Sequence, residues 1–375
     1  ARLQEIIPYD ELGKDGPETV TFPNRYGPAV LKIFRKDVVF ESEALEAINL
    51  TVTDHKQHEK SISEALDISK NGIFETQSDH WNGILDPLQG VAVNCMVLPG
   101  LLGFCLFDEQ GVGKTVISMA AFDILRDLAL IDVVIIVGPK SMTREWQTEC
   151  CRFLPSIAEY KIALLSGSSK KKFKSIFSGA NIIISNFETV SQHLTSLRSI
   201  ARKQKTLLIV DESFLIKNPD ANRSIAIAKL RWECKRAFVL CGTPVPNQPK
   251  DIINQFNTAD LGYAFHGFNI GDKKDSILPK IKDRLEKRGA YLRRTKQEAL
   301  PGLPEKIFNI DTVDMENSQL DLYQKTTRDL ILYLKTLDNQ TFQRDIQTYF
   351  QKRAVLLQIC LNPKIIDPTY NQDPI

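Results

Sequence analysis

The sequence predicts an α/β fold in which a mainly parallel sheet is covered by helices on both faces. Two observations carry this. Short, continuous apolar runs recur at Phe104–Phe107, Val133–Val137, Ile162–Leu165, Ile182–Ile184, Leu207–Val210 and Phe238–Leu240, with helical or polar stretches between most of them. Runs that are apolar throughout, not alternating, are what strands buried on both faces require. The second observation is the glycine-bearing turn that joins the first run to an amphipathic stretch. Ligands of such sheets bind beyond the carboxyl ends of the strands, and every motif of this chain stands at one of those ends.

Residues 1–80 differ in pattern from the rest of the chain and read as a small accessory domain that offers a surface for protein partners. Ala29 to Phe34 and Val38 to Phe40 suggest short strands, and Ser61 to Ile68 a short helix. No chemistry is assigned there. The span 81–305 holds the α/β pattern. After Asn257 comes the loop-like stretch from Gly262 to Gly271. Long helical patterns then appear at Asp275–Ala290, Ser318–Leu337 and Thr341 to Cys360, and residues 306–375 read as a helical extension and linker. The start at Ala1 and the linker-like end at Ile375 suggest a fragment.

The bulk numbers narrow the classes. A chain of 375 residues buries a large core and forms two or more subdomains. A net charge of +2 gives no general attraction to nucleic acid, so any such surface is a local patch. Seven cysteines without a C-x-x-C pair argue against a zinc site or a disulfide framework, and for a reduced intracellular setting. No stretch of about 18 uninterrupted apolar residues exists, so no membrane partner is expected.

The turn itself is Asp108-Glu109-Gln110-Gly111-Val112-Gly113-Lys114-Thr115, after the apolar run Leu101 to Phe107. Ile117, Ala120, Ala121, Ile124, Leu125 and Leu128 then recur at helical spacing. Strand, turn and helix form a phosphate cradle. Glycines let backbone N–H groups turn inward, and the helix start offers partial positive charge. Lys114 would reach the β- and γ-phosphates, and Thr115 would hold Mg²⁺. Asp108 stands where the strict pattern has its first glycine.

Leu207-Leu208-Ile209-Val210-Asp211-Glu212 is an apolar strand ending in two carboxylates. Asp211 is placed to hold Mg²⁺, and Glu212 to polarise the attacking water. Phe238 to Leu240 runs into Cys241-Gly242-Thr243-Pro244. That turn is either a tight connection to the next helix or a sensor of the γ-phosphate through Gly242 and Thr243.

In order along the chain these residues resemble the first, RecA-like motor lobe of the Snf2-type ATPases of helicase superfamily 2. Leu85-Asp86-Pro87-Leu88-Gln89 resembles the adenine-reading segment, with Gln89 as its glutamine. Asp108 to Thr115 resembles D-E-M-G-L-G-K-T, with Gln110 and Val112 in place of Met and Leu. Val134 to Ser141, followed by Trp146, resembles the motif that contacts a nucleic-acid backbone. Ile184 to Thr189 resembles the T-T-Y-E-T segment. Asp211 to Pro219 resembles D-E-A-H-R-I-K-N-P, and Cys241 to Asn247 resembles T-G-T-P-I-Q-N. Tyr291-Leu292-Arg293-Arg294-Thr295-Lys296 with Leu300-Pro301 resembles the segment that ends this lobe, and Leu357 to Pro363 the L-R-Q-I-C-N-H-P stretch.

The resemblance implies an ATP- and Mg²⁺-using, double-stranded DNA translocase that does not separate strands. It implies a nucleotide cradle of Gln89, Gln110, Gly111, Val112, Gly113, Lys114 and Thr115, with Lys114, Asp211 and Glu212 catalytic. Lys140, Ser141, Asn186 and Lys217 are the candidates for nucleic-acid contact, together with the basic cluster Ser168 to Lys174. The setting it implies is cytoplasm or nucleoid in a bacterium, nucleus in a eukaryote.

Two departures qualify this. Phe214 replaces the family's histidine, which links hydrolysis to nucleic-acid movement, and Leu215 the following arginine. Coupling is then altered or routed elsewhere. The family's second lobe, whose arginines complete the site, is absent from this sequence. Such an arginine is worth roughly 10³–10⁵ in rate in related enzymes, so these residues are expected to bind nucleotide and turn it over poorly. The alternatives are a strand-separating helicase on RNA or DNA, and a nucleotide-dependent DNA-binding scaffold without useful hydrolysis.

Overall fold

The computed structural model describes residues 13–14, 20–21, 41–72, 78–155, 159–165, 179–266, 274–300, 307–310, 312–338 and 346–370, with single positions between them. It divides into two compact units, Ala1–Leu303 and Pro304–Ile375.

The first unit opens with a two-stranded ribbon of β1 (Gly13–Lys14) and β2 (Val20–Thr21), then the long helix α1 (Ser42–Asn71). Gly72 closes α1 at φ 64°, its N–H returning to the Ile68 carbonyl. The expected short helix at 61–68 is therefore one part of a 30-residue helix. The strand expected over 29–34 is not formed at its described positions. Gly27, Val30 and Phe34 are helical, and their spacing of three and four residues puts them on one buried face. The strand expected at 38–40 lies outside the described residues.

Helices α2 (Asp79–Asn82) and α3 (Pro87–Val97) lead into the sheet. It has seven parallel strands: β3 (Gly103–Leu106), β4 (Val133–Gly138), β5 (Ile162–Leu164), β6 (Ile182–Asn186), β7 (Thr206–Val210), β8 (Arg236–Leu240) and β9 (Tyr291–Leu292). Their order is β5-β6-β4-β7-β8-β3-β9. Each of the six apolar runs expected as strands between residues 104 and 240 is one of them. The edge strand β9, two residues long, is too short to carry a sequence signal.

Between the strands lie α4 (Lys114–Asp127), α5 (Thr143–Phe153), α6 (Phe187–Gln192), α7 (Leu194–Lys203), α8 (Asn222–Arg231), α9 (Ile253–Asp260) and α10 (Lys274–Arg288). Strand pleating sorts the side chains. Val134 and Ile136 of β4 face one core with Ile117, Trp146 and α1 residues Ile62 and Ala65. Val133, Ile135 and Val137 face the other, with Phe187, Leu197 and Ile227. A third cluster joins Cys105, Val239, Phe256 and Ile281. At Gly103 a Cβ would stand 2.0 Å from the Ala259 carbonyl, so only glycine lets α9 close on the start of β3.

After β9 comes α11 (Lys296–Ala299). In the second unit α12 (Asn317–Lys335) packs on α13 (Ile346–Leu361). Buried Gln319 fixes their register by donating to the carbonyls of Ile359, at 2.7 Å, and Cys360, at 3.2 Å. No helix among the described residues is long and apolar enough to cross a membrane.

Candidate active site

The phosphate loop leaves β3 and enters α4. Gly111 has φ 87° and Gly113 φ 96°, both in the left-handed region that glycine adopts without strain. A Cβ on Gly113 would lie 2.4 Å from Gln89 Nε2, so a side chain there would push the Gln89 amide from its place beside the loop. Gln89 braces it. Its Nε2 donates to the Val112 carbonyl at 3.0 Å, and its Oε1 accepts from the Asp86 backbone N–H at 3.1 Å.

Asp108 is fully buried. The Arg294 guanidinium forks onto it, Nε lying 3.1 Å from each carboxylate oxygen, with Nη2 on Oδ2. The Arg294 backbone N–H adds a bond of 2.9 Å to Oδ1. This pairing explains how an acid occupies the position that usually holds glycine. A buried carboxylate persists where its charge and lone pairs are answered. Arg293 reaches the Phe107 carbonyl at 2.9 Å and that of Gly242 at 3.4 Å. Lys296 donates its backbone N–H to Glu109 Oε2 at 3.0 Å, and its ammonium lies over Gly111, 3.5 Å from where a Cβ would be. Residues 293–296 thus back the whole loop. Their motif marks them only as the end of a lobe, although the unanswered acid at 108 already calls for a cation.

Lys114 Nζ donates to the carbonyls of Asp108, at 2.8 Å, and Glu109, at 3.1 Å. Burial lowers its pKa, against the attraction of Glu212, Asp211 and Asp108. Thr115 comes next, half-buried in the first turn of α4. Across the cleft, β7 delivers Asp211, which is 7% exposed. Burial pushes its pKa up. Bonds from Trp146 and from the Glu212 backbone, and the charge of Lys114, hold it partly down. Glu212 sits at φ 49°, in the left-handed region. Its pKa is raised by burial and by Asp211, opposed by Lys114 and by a bond from the Gln110 side chain. Gly242 closes the floor, where a Cβ would meet Gln110 Cγ at 2.8 Å and Lys114 Nζ at 3.6 Å. Thr243 beside it is exposed.

Trp146 is the residue whose part the sequence conceals. Its motif resembles a nucleic-acid contact, yet the ring is buried and its Nε1 donates to Asp211 Oδ2 at 2.8 Å. Within Val134–Ser141, Lys140 and Ser141 are the exposed positions. Asn186 Oδ1 accepts from the Thr189 N–H at 2.8 Å and so caps α6. Lys217 pairs with Asp251 at 3.4 Å. Asn186 ends β6, and Lys140, Ser141 and Lys217 follow the carboxyl ends of β4 and β7, the strand end from which the phosphate loop also leaves β3. The basic cluster 168–174 lies outside the described residues.

The chain is 27% identical over 330 residues to YwqA of Bacillus subtilis (strain 168), covering 82% of this chain and 34% of that protein. It is 25% identical over 311 residues to the ATP-dependent helicase fft1 of Schizosaccharomyces pombe, covering 75% and 32%. It spans about a third of the length of these relatives. A solved structure of the Sulfolobus solfataricus SWI2/SNF2 ATPase core in complex with dsDNA aligns with a TM-score of 0.49 and 23% identity, covering 76% of this chain and 60% of that one. A profile of the SNF2-related domain matches residues 87–365, from the start of α3 to beyond α13. Phosphate loop, acidic strand end and Gly-Thr-Pro turn all fall within that match, and the chain belongs to the SNF2-related domain family.

Proposed function

We propose that this chain is the ATP-binding part of a motor that translocates along double-stranded DNA. One observation carries the reading. Lys114, Asp211 and Glu212 come from two strand ends far apart in sequence and lie close enough to shift one another's titration. A single cation facing two carboxylates across a left-handed glycine loop suits a magnesium–triphosphate.

The residues fit that group. Glycines 111 and 113 hold the left-handed turns that let backbone N–H groups face a phosphate. Lys114, resting on loop carbonyls, is available to neutralise β- and γ-phosphate charge. Thr115 and Asp211 supply the hard oxygen donors magnesium takes, and the bound ion contributes charge neutralisation along the phosphates. Glu212, the least shielded carboxylate of the set, orients the attacking water and accepts its proton. Gln89 holds the adenine side, and Gly242 and Thr243 register the phosphate end. Lys140, Ser141, Asn186 and Lys217 form a backbone-tracking edge, in which phosphate contacts position a duplex without reading its bases. The relative fft1 is named an ATP-dependent helicase, which supports nucleotide use.

Phe214 favours a second reading, a nucleotide-gated DNA-binding subunit without useful turnover. Turnover by the natural protein with no polymer, duplex DNA, single-stranded DNA and RNA separates the two. Duplex-stimulated hydrolysis abolished by Lys114→Ala is expected. Full biological activity in the Lys114→Ala variant supports the second reading. On residues 1–375 alone, ATP binding with slow turnover is expected, because the resemblance assigns the transition-state arginine, worth roughly 10³–10⁵ in rate, to a second lobe that these residues do not include.

A further inference from the structure

One helix face clasps both turns that frame the nucleotide site. Asp251, Asn254 and Gln255 lie at positions i, i+3 and i+4 through the 249–252 turn and α9, so they share a side. Each grips the turn after Glu212. Asp251 Oδ2 takes Lys217 Nζ at 3.4 Å, Asn254 Nδ2 donates to the Ile216 carbonyl at 2.5 Å, and Gln255 Oε1 accepts from Ser213 Oγ at 2.6 Å.

The same face grips the turn after β8. Gln255 Nε2 donates to the carbonyls of Pro244, at 2.6 Å, and Asp251, at 2.8 Å. Asp251 Oδ2 accepts from the backbone N–H groups of Asn247 and Gln248, each at 3.1 Å. Ser213 and Gln255 have no exposed surface. Buried polar groups of this kind hold one geometry, because a shifted partner leaves a desolvated group unpaired. Moving either turn therefore moves the other.

The placement gives the clasp two ends. Ser213 directly follows Glu212, and Pro244 closely follows Gly242, whose backbone faces Lys114 and Gln110. Lys217, at the other end, follows β7 as Lys140 and Ser141 follow β4, the strand paired with it. Phe214 takes no polar part. It packs against the cluster of Ile252, Ile253 and Phe256.

The geometry points to Gln255 and Ser213 as positioning residues that couple duplex binding at the Lys217 end to nucleotide binding at Lys114 and Glu212, in place of a polar side chain at 214. The assignment rests on the function proposed above. Displacing Lys217 from Asp251 onto a DNA phosphate releases one anchor of the face, and the shared helix carries the change to both nucleotide-site turns.

The test is linkage. ATP–Mg²⁺ affinity of residues 1–375 is measured by calorimetry with and without a saturating blunt DNA duplex. The duplex is expected to change it by roughly 5-fold or more, the lower end of ordinary allosteric coupling. Ser213→Ala and Gln255→Met each bring that factor below about 2, and the double variant lowers it no further, as for two members of one unit. Thr258→Val is the control. It loses a hydroxyl bond to the Asn254 carbonyl of 2.9 Å within the same helix and lowers the melting temperature, yet keeps the full factor. Variants at 213 and 255 that keep it overturn the proposal. So does a wild-type chain that binds ATP and duplex without linkage. A wild-type chain whose ATP binding is absent, or unchanged by Lys114→Ala, overturns the nucleotide site itself.

Discussion

The phosphate loop and the acidic strand end each depart from the expected pattern, and the two departures are answered differently. At the loop, a charged residue enters where glycine is usual, and a charge from far along the chain meets it: Asp108 by Arg294. At the strand end, Phe214 brings in an apolar ring, and neutral hydrogen bonds around it join the neighbouring turns: Ser213 by Gln255, Ile216 by Asn254. An ion pair fixes one point strongly. A hydrogen-bonded face ties several points to one another, so that they shift only together. On the proposed coupling, the loop serves as the fixed floor and the strand end as the part that responds.

Breaking the floor gives the largest expected effect. Arg294→Ala leaves Asp108 buried and unpaired, which costs about 3–5 kcal/mol when a buried pair loses one member. Denaturant unfolding of the variant measures it. Adding Asp108→Gly to Arg294→Ala removes the stranded charge and should recover most of that loss. A cost below about 1 kcal/mol for the single variant would mean the pair behaves as an exposed one, and the contrast between the two regions would disappear.

Trp146 sharpens the comparison on the moving side. Replacing it by Phe keeps the buried ring and deletes the donor to Asp211. Loss of such a supporting bond typically weakens metal affinity 10–100-fold, about 1.4–2.7 kcal/mol. Magnesium-dependent ATP binding should fall accordingly, with magnesium-free binding little changed. The effect should grow in acid. Burial already raises the Asp211 pKa, and losing the indole bond raises it further. Protons then compete with the metal at a higher pH than for an ordinary aspartate. Losses that stay equal as pH falls from 8 through the carboxylate range would count against this account.

The same contrast explains what is legible in the sequence. The strands are readable because runs such as Val133–Val137 are buried on both faces and carry a local signal. The site is readable wherever a backbone conformation forces a residue type, as at Gly111 and Gly113. Long-range pairing is hidden. Arg294 meets Asp108 across 186 positions, and Trp146 meets Asp211 across 65. No periodicity links such partners. Residues 27, 30 and 34 mislead for another reason. The apolar stretch 29–34 satisfies a strand reading locally, yet its described positions, Val30 and Phe34, are helical and buried.

Acidity separates the two regions as well. His58 of α1 is fully buried and its Nδ1 accepts from the Leu102 backbone N–H at 3.2 Å, just ahead of β3. The neutral ring therefore carries its proton on Nε2, which has no hydrogen-bond partner, while the ring meets Tyr263 edge-on at 5.1 Å. Burial first, then the charges of His55, Arg231 and Arg236, lowers its pKa to about 3. The unfolded chain protonates this residue near pH 6.5 and the folded chain does not, so stability is full above that pH and falls as pH drops toward 3. The slope from this one group is about 1.4 kcal/mol per pH unit. His58→Asn keeps an acceptor for Leu102 and removes the titration, and should flatten the stability profile between pH 6 and 4 by that slope. Hydrogen exchange gives the regional readout. Acid should loosen β3 and the loop it carries before β7 and the α9 face, in the wild type and not in His58→Asn. Uniform loosening of both would show that the floor and the moving part open as one body.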